Sequence, residues 1–281
     1  MKILVFGSTG LLGSHITRVL KSQDNHKVYA LNRNHFDAST RKLPRDLKDN
    51  INAGDVIINC TGVLKPRVCD VGPEKTILIN SHFPTMLSQI CLEQKARFIH
   101  FCSDCVFSGI TGGYVETDTC DAQDLYAKTK SITPEYGTIM RVSFVGSEPR
   151  QYPIGLLSKL KELPPHSTVT GYTNCLWNGM TTLQLAKLVR NMINNHEDWI
   201  GLRHVFSPDC ISKYDLCCMI NEIYRLQLNI VKKSAEHVSG SPIPTETGML
   251  DRTLSTIYDQ IKLPSIQNQL IEMRGYDEIS C

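Results

Sequence analysis

Short apolar runs alternate with amphipathic stretches through the first half of the chain. Ile3-Leu4-Val5-Phe6 is the first such run; it breaks into glycines at 7, 10 and 13, after which Leu12, Ile16, Val19 and Leu20 recur at helical spacing. The pattern predicts strand, tight turn, helix. Lys27–Leu31 predicts a second strand and Asp55–Cys60 a buried third, joined by a short irregular crossover over the polar residues 35–54. Pro73 to about Gln94 reads as one long helix, with Ile77, Met86, Leu87 and Ile90 on its apolar face and a bend at Pro84. Ala96–Phe101 is the fourth strand and runs into Cys102-Ser103-Asp104-Cys105-Val106-Phe107.

After residue 147 the alternation lapses, and prolines 149, 153, 164 and 165 interrupt the chain. The pattern predicts a helix near 154–162, a short strand at Thr168-Val-Thr170, and a helix capped by Asn178-Gly-Met-Thr-Thr182 that buries Leu185, Leu188, Val189, Met192 and Ile193. Arg203–Phe206 reads as a strand returning to the main sheet. A helix then starts at Ser212 with Cys217, Ile220 and Tyr224 inward. Residues 233–248 form a Ser/Pro/Gly/Thr-rich loop, a candidate flap, and the chain from Asp251 reads as two short helices.

Composition narrows the class. With 281 residues the chain holds one large domain or a domain with a smaller lobe. A net charge of +2 gives no footprint for nucleic acid or an anionic membrane, and no apolar run reaches membrane-spanning length. Eleven cysteines at irregular spacing, with no leader pattern ahead of the first strand, read as reduced thiols of a cytoplasmic protein. No metal site is expected.

The glycine turn carries the first chemistry. Gly7 allows the turn, Gly10 lets the backbone approach a pyrophosphate, and Gly13 lets helix and strand pack closely; Ser8, Thr9, Leu11 and Leu12 complete the loop. The bland alternative is an ordinary strand-to-helix turn. A dinucleotide site selective for NAD places an acidic residue about twenty positions after the last glycine. Here Asn32-Arg33 occupies that place, and an arginine can hold a 2′-phosphate with paired hydrogen bonds, so NADPH is the expected cofactor. Cys60-Thr61-Gly62 returns the chain to the same edge. Tyr126 and Lys130 lie four apart, on one face of a helix, where a lysine favours the phenolate and makes the phenol a proton donor or acceptor. Alone, such a pair is more often an exposed helix face, and Ser103 more often a turn residue. Their order along the chain changes that reading.

In that order (Gly7/Gly10/Gly13, Asn59-Cys-Thr-Gly62, Asn80, Ser103, Tyr126 with Lys130) the chain resembles the extended short-chain dehydrogenase/reductases. The resemblance implies an α/β fold, a doubly wound parallel Rossmann sheet with a smaller mixed α/β substrate lobe. It also implies that Ser103, Tyr126 and Lys130 form the catalytic group. The expected division is an NADP-binding domain over 1–147, with 201–225 returning to its sheet, and a mainly nucleotide-sugar-binding lobe over 148–281. Phe101-Cys-Ser-Asp-Cys-Val-Phe107, Met140-Arg-Val-Ser143, Gly201-Leu-Arg-His-Val-Phe-Ser207 and Ile211-Ser-Lys-Tyr214 are similar to the dTDP-4-dehydrorhamnose reductase family across nearly the whole chain. The implied substrate is a nucleoside-diphospho-4-keto-6-deoxyhexose.

One position departs from that pattern. The reductases usually carry tyrosine two residues after the active-site serine or threonine, and this chain has Cys105. A cysteine there is similar to enzymes that epimerise before reducing, GDP-fucose synthase and the plant UDP-rhamnose epimerase/reductase among them; Gly62-Val-Leu-Lys-Pro-Arg-Val68 also looks like the plant enzyme. The resemblance then implies 3,5-epimerisation before 4-keto reduction. Cys105 exchanges a proton on one ring face, and Lys159, or failing it His166, on the other. A packed thiol and a solvent-facing lysine are the bland alternatives. Asn178 is a candidate nucleotide contact or a turn asparagine. UDP is favoured over dTDP only through the plant likeness, and a homodimer is implied by the family. Two further readings stay open: a reductase without epimerase activity, and a non-catalytic dinucleotide-binding subunit like the regulatory β subunit of methionine adenosyltransferase.

Overall fold

The apolar runs assemble at the centre of a six-stranded sheet. The computed structural model describes residues 1–22, 25–148, 154–235 and 263–279. Its strands are β1 (Lys2–Phe6), β2 (Lys27–Leu31), β3 (Val56–Asn59), β4 (Arg97–Ser103), β5 (Thr138–Val142), β6 (Phe144–Val145), β7 (Thr168–Tyr172), β8 (Leu176–Trp177), β9 (Met180–Thr181), β10 (Gly201–Val205), β11 (Ile211–Ser212) and β12 (Asn229–Lys233). The helices are α1 (Leu11–Lys21), α2 (Arg45–Asp49), α3 (Val68–Val71), α4 (Pro73–Ile77), α5 (Phe83–Gln94), α6 (Leu125–Ser131), α7 (Leu156–Glu162), α8 (Thr182–Asn195), α9 (Lys213–Tyr224) and a last helix, Ile266–Ile279.

The large sheet has the order β10-β5-β4-β3-β1-β2. β1 pairs in parallel with both β2 and β3, and β3 with β4. Strand order therefore reverses between β1 and β3. In open α/β sheets, ligands bind beyond the carboxyl ends of the strands at such a reversal. Ile3, Val5, Phe6, Val56, Ile57 and Ile58 are each 0% exposed. Burying one such side chain contributes roughly 1.5–3 kcal/mol, and a parallel strand covered on both faces reads as an unbroken apolar run. This is the expected α/β fold with a doubly wound parallel sheet.

The chain divides into two compact units. The first comprises Met1–Ser103, Asp124–Arg141 and Leu185–Leu202. Within it α1 buries Leu12, Ile16, Val19 and Leu20, as its spacing predicts, and the crossover over 35–54 contains the short helix α2. Arg97, at the start of β4, donates to the Asp198 carboxylate and to the carbonyls of Met192 and Ile193, fastening the end of α8 to the sheet. The helical run from Pro73 to Gln94 ends where expected, but its interruption differs. A π turn, Leu78–His82, separates α4 from α5, and Pro84 falls in the first turn of α5. Proline lacks the amide hydrogen and crowds the carbonyl four residues back; the wider π turn removes that clash without ending the helix.

The second unit comprises Asp104–Gln123, Val142–Gln184 and Arg203–Cys281. Its strands form two-stranded sheets, β6 with β9, β7 with β12 in parallel, and β8 with β11 antiparallel. The 154–162 helix and the 168–170 strand appear as α7 and β7; Ser212 caps α9 by accepting from Asp215 N, and Cys217 and Ile220 are buried while Tyr224 is half-buried. The sequence reading passed over β12. The two short helices expected from Asp251 are corrected in part: Ile266–Ile279 is one continuous helix, while 251–262 lie outside the described residues. The proposed flap lies outside them as well, except for 233–235. Among the described residues no helix is long and apolar enough to cross a membrane, and no cluster of metal-binding side chains occurs.

Candidate active site

The glycine turn joins β1 to α1. Leu31 O, at the end of β2, accepts from Gly7 N (3.0 Å), Ser8 N (3.1 Å) and Ser8 Oγ (3.0 Å), while Gly10 N donates to Gly7 O at 3.0 Å. Gly7 has φ +78°, and a Cβ there would lie 2.9 Å from the carbonyl of Cys60; a Cβ on Gly13 would lie 2.2 Å from Gly7 O. Both glycines are thus required by close backbone approach. The N-cap of α1, Gly10, contributes no side-chain bond, and the first turn has no acidic residue. Helix N–H groups left uncapped and a positive dipole end suit a pyrophosphate. The residues present fit a dinucleotide.

Beyond β2, Asn32 to His35 form a turn closed by His35 N donating to Asn32 O at 3.0 Å. Arg33 is exposed at its corner and Asn32 half-buried. Phe36 anchors the turn by stacking on Phe83 (5.3 Å) and meeting Phe6 edge-on (4.9 Å).

The segment after β3 is set by a buried chain of bonds. Asn59 Oδ1 accepts from Thr61 N (3.1 Å) and Thr61 Oγ1 (2.7 Å), which leaves Asn59 Nδ2 to donate to His100 Nδ1 at 3.2 Å. The His100 ring therefore accepts at Nδ1. Burial pushes its pKa well below the ordinary value, and the charge of nearby Lys130 adds to that. Burial also pushes the Cys60 thiol up, so that residue meets the site with its backbone and a protonated sulfur. Because His100 is neutral when folded, the unfolded chain binds the extra proton below its own pKa of about 6.5. Stability from this group is complete above that pH and is lost as pH falls toward the depressed folded value, by up to about 1.4 kcal/mol per unit. Urea denaturation between neutral pH and pH ~5 is expected to show this slope in the wild type and its loss in His100→Gln. An equal slope in both would refute it.

Helix α6 carries Tyr126 and Lys130, and each end is fastened. Asp124 caps it through Oδ1 to Ala127 N (3.0 Å) and pairs through Oδ2 with Lys65 at 2.9 Å. Asn80, inside the π turn, accepts from Val63 N (2.8 Å) and donates to Val63 O and Thr129 Oγ1 (both 3.1 Å), and Ser81 Oγ donates to Thr129 O at 2.8 Å. The widened turn thus ties the segment after β3 to α6. Lys130 Nζ is buried and donates to Phe101 O at 2.7 Å, while Cys102 Sγ lies 2.9 Å from Lys130 O. Burial lowers the Lys130 pKa. Lys130 therefore sits against the end of β4, whose last residue is the buried Ser103; Tyr126 is 9% exposed on the same helix.

The other expected residues belong to the second unit. Cys105 is half-buried in the 3₁₀ turn Asp104–Val106 that follows Ser103. Lys159 is exposed on α7, whose Leu157, Ser158 and Leu160 are buried, and His166 is exposed with φ +66°. Asn178 is buried between β8 and β9. The expectation of no metal overlooked one Cys-x-x-Cys step, Cys102 to Cys105. Cys102 directs its sulfur to Lys130 O, and no cluster of metal-binding side chains includes the pair among the described residues. Sequence reasoning also missed Lys65, Asp124 and His100. Asp124, three residues before the amide it caps, had a readable cap signal; His100 had none, since its partner is in a neighbouring strand.

Comparison with known proteins agrees with this architecture. The Haloferax volcanii protein named Probable low-salt glycan biosynthesis reductase Agl14 is 30% identical over 163 residues, covering 52% of this chain and 54% of that protein. The dTDP-4-dehydrorhamnose reductase of Mycobacterium tuberculosis is 29% identical over 134 residues, 46% of this chain and 43% of that one. The chain thus spans about half the length of these curated relatives. The crystal structure of dTDP-4-dehydrorhamnose reductase from Bacillus anthracis in complex with NADP superposes with a TM-score of 0.79 at 16% identity, covering 97% of this chain and 98% of that one, a likeness of fold. A family model described as RmlD substrate binding domain matches residues 1–273, from the glycine turn into the last helix. Matched over nearly its whole length, the chain belongs to the RmlD substrate binding domain family.

Proposed function

We propose that the chain is an NADPH-dependent reductase of a nucleoside-diphospho-4-keto-6-deoxyhexose. The observation that carries this reading is the buried Lys130 ammonium held at Phe101 O, one helical turn from Tyr126 and beside the strand that ends in Ser103. The glycine turn with Arg33 beyond β2 supports NADPH as cofactor, as does the NADP-bound Bacillus anthracis relative. The RmlD family supports the sugar class, with residues 1–147 handling the dinucleotide and 148–281 mainly the sugar nucleotide.

The cofactor supplies the hydride that reduces C4. Tyr126 gives its phenolic proton to the O4 oxygen, and Ser103 donates a hydrogen bond to the same atom, stabilising the charge that develops there. Lys130 holds the nicotinamide ribose and favours the phenolate that remains. Gly7 to Gly13 seat the pyrophosphate, Asn32 and Arg33 the adenosine ribose phosphate, and Cys60 to Gly62 the adenine edge. Asn178 contacts the nucleotide sugar.

A second reading adds 3,5-epimerisation. Its support is Cys105, a half-buried thiol placed directly after the Ser103 strand. It needs Lys159 or His166 as the opposing acid, and the relatives above bear the names of reductases. Incubating the protein with NADPH and UDP- or dTDP-4-keto-6-deoxyglucose, and separately with the corresponding 4-keto-rhamnose, tests both readings. Consumption of NADPH with the rhamnose ketone alone marks the plain reductase. Deuterium incorporation at C3 and C5 that Cys105→Ser abolishes marks the bifunctional enzyme. No consumption with any sugar would leave a non-catalytic dinucleotide-binding subunit. The family likeness also supports a homodimer, which light scattering would read.

A further inference from the structure

The connection between β8 and β9, Asn178-Gly179, is held at its backbone from two sides. Met180 N donates to Ser143 O at 2.9 Å, and a Cβ on Gly179 would stand 2.4 Å from that same oxygen. On the other side Ser207 N donates to Asn178 O and Ser207 Oγ to Gly179 O, both at 2.7 Å. The last helix completes this grip through Gln269, which is 1% exposed. Gln269 Oε1 accepts from Thr181 N at 3.0 Å, which fixes that atom as the oxygen. Nε2 therefore donates, to Ser207 Oγ at 2.8 Å and to Pro264 O at 2.9 Å. Ser207 Oγ accepts that bond and directs its own proton at Gly179 O, so the chain of donors runs one way.

We propose that Gln269 is a positioning residue for the sugar nucleotide, fixing through Thr181 and Ser207 the direction from which Asn178 meets it. The inference rests on the reductase reading given above, in which Asn178 contacts the nucleotide sugar. Four successive residues, Asn178 to Thr181, have backbone groups bonded to Ser143, Ser207 or Gln269. A side chain rooted in such a backbone keeps its direction before the ligand arrives, which lowers the ordering cost of binding. Only a neutral amide serves at Gln269. A carboxylate would accept from Thr181 N but would set a second acceptor against Pro264 O. An apolar side chain would take the acceptor away from Thr181 N, a buried position. The amide is carried on a helix seated by Asp209, whose carboxylate accepts from Ile266 N at 3.0 Å. A residue 88 positions from Thr181 thus sets the geometry of its loop.

Steady-state kinetics of the full chain with NADPH and with dTDP- or UDP-4-keto-rhamnose tests the proposal. Gln269→Leu, close in volume, is expected to raise KM for the sugar nucleotide about tenfold, the scale of one well-made hydrogen bond. Turnover and NADPH affinity are expected to stay within about twofold, the pattern of lost uniform binding. Ser207→Ala cuts the same chain at Gly179 while leaving Thr181 N bonded, and is expected to raise KM about threefold. It carries the test if Gln269→Leu fails to fold. In an Asn178→Ala background, which itself raises KM, neither substitution is expected to add more than about twofold. A purely structural role would instead shift NADPH affinity along with KM and add in full to Asn178→Ala. That result overturns the proposal, as does an unchanged KM. Asn178→Ala with the wild-type KM would overturn it too, removing Asn178 from the site while the reductase reading stands. No turnover of either sugar by the wild type would overturn both.

Discussion

Tyr126→Phe is expected to lower turnover with a 4-keto sugar by about 10²–10⁴-fold, the range that one positioned proton donor supplies, while NADPH affinity changes by less than about twofold. The substitution removes one oxygen and keeps the ring. Tyr126 is nearly buried on a helix fastened by Asp124, Thr129 and Lys130, so phenylalanine inherits the same seat. Without the phenol, the alkoxide forming at C4 finds a hydrogen bond from Ser103 but no proton, and the barrier rises accordingly. Single-turnover kinetics with NADPH bound beforehand isolates the chemical step, and a melting curve beside that of the wild type verifies the fold. Turnover at the wild-type rate would remove Tyr126 from the reaction and, with it, the reading of Lys130 as the group that tunes it.

That helix was legible in the chain only as a spacing, whereas the elements ahead of it were legible outright. β1 and β3 announce themselves because parallel strands buried on both faces must be apolar throughout, whereas β2, at the sheet edge, shows only a short apolar stretch after Lys27; the glycines at 7 and 13 show because no Cβ fits between their backbones. The run from Pro73 to Gln94 gave away its ends by proline and periodicity. Its π turn did not show, since what stabilises it is Asn80 bonding to Val63 and Thr129, partners 17 and 49 residues away. β12 was invisible for the opposite reason. Apart from Ile230 its residues are exposed, and it pairs with β7 alone, so no alternation marks it. The positions of Cys105 and Lys159 follow the same division. A cysteine after a strand can be read from the chain, but which side chain of another element approaches it is a tertiary matter that residue spacing does not encode.

Gly13→Ala and Gly10→Ala are expected to fail in different ways, and the contrast isolates what the glycine turn does. At Gly13 the new methyl carbon would meet Gly7 O at 2.2 Å and the Gly7 carbonyl carbon at 2.9 Å, both rigid backbone atoms. Gly7 cannot retreat. Its N–H is bonded to Leu31 O, and on its other side the Cys60 carbonyl stands 2.9 Å from where a Cβ would be. Overpacking of this kind costs about 1–3 kcal/mol, and the relaxation that relieves it must push α1 off β1. The N–H groups proposed to seat the pyrophosphate move with the helix, and losing two charge-assisted hydrogen bonds is expected to weaken NADPH about a hundredfold or more. Gly10 differs, for its φ of −79° and ψ of 171° are extended backbone open to alanine. Gly10→Ala should therefore keep its stability within about 0.5 kcal/mol and lose affinity alone, because the methyl group stands where the phosphates approach. Denaturant midpoints and fluorescence titration with NADPH on both variants check this. Were Gly13→Ala to melt and bind like the wild type, the close approach of α1 to β1 would have no part in holding the dinucleotide, and the cofactor site would have to be sought elsewhere in the sheet.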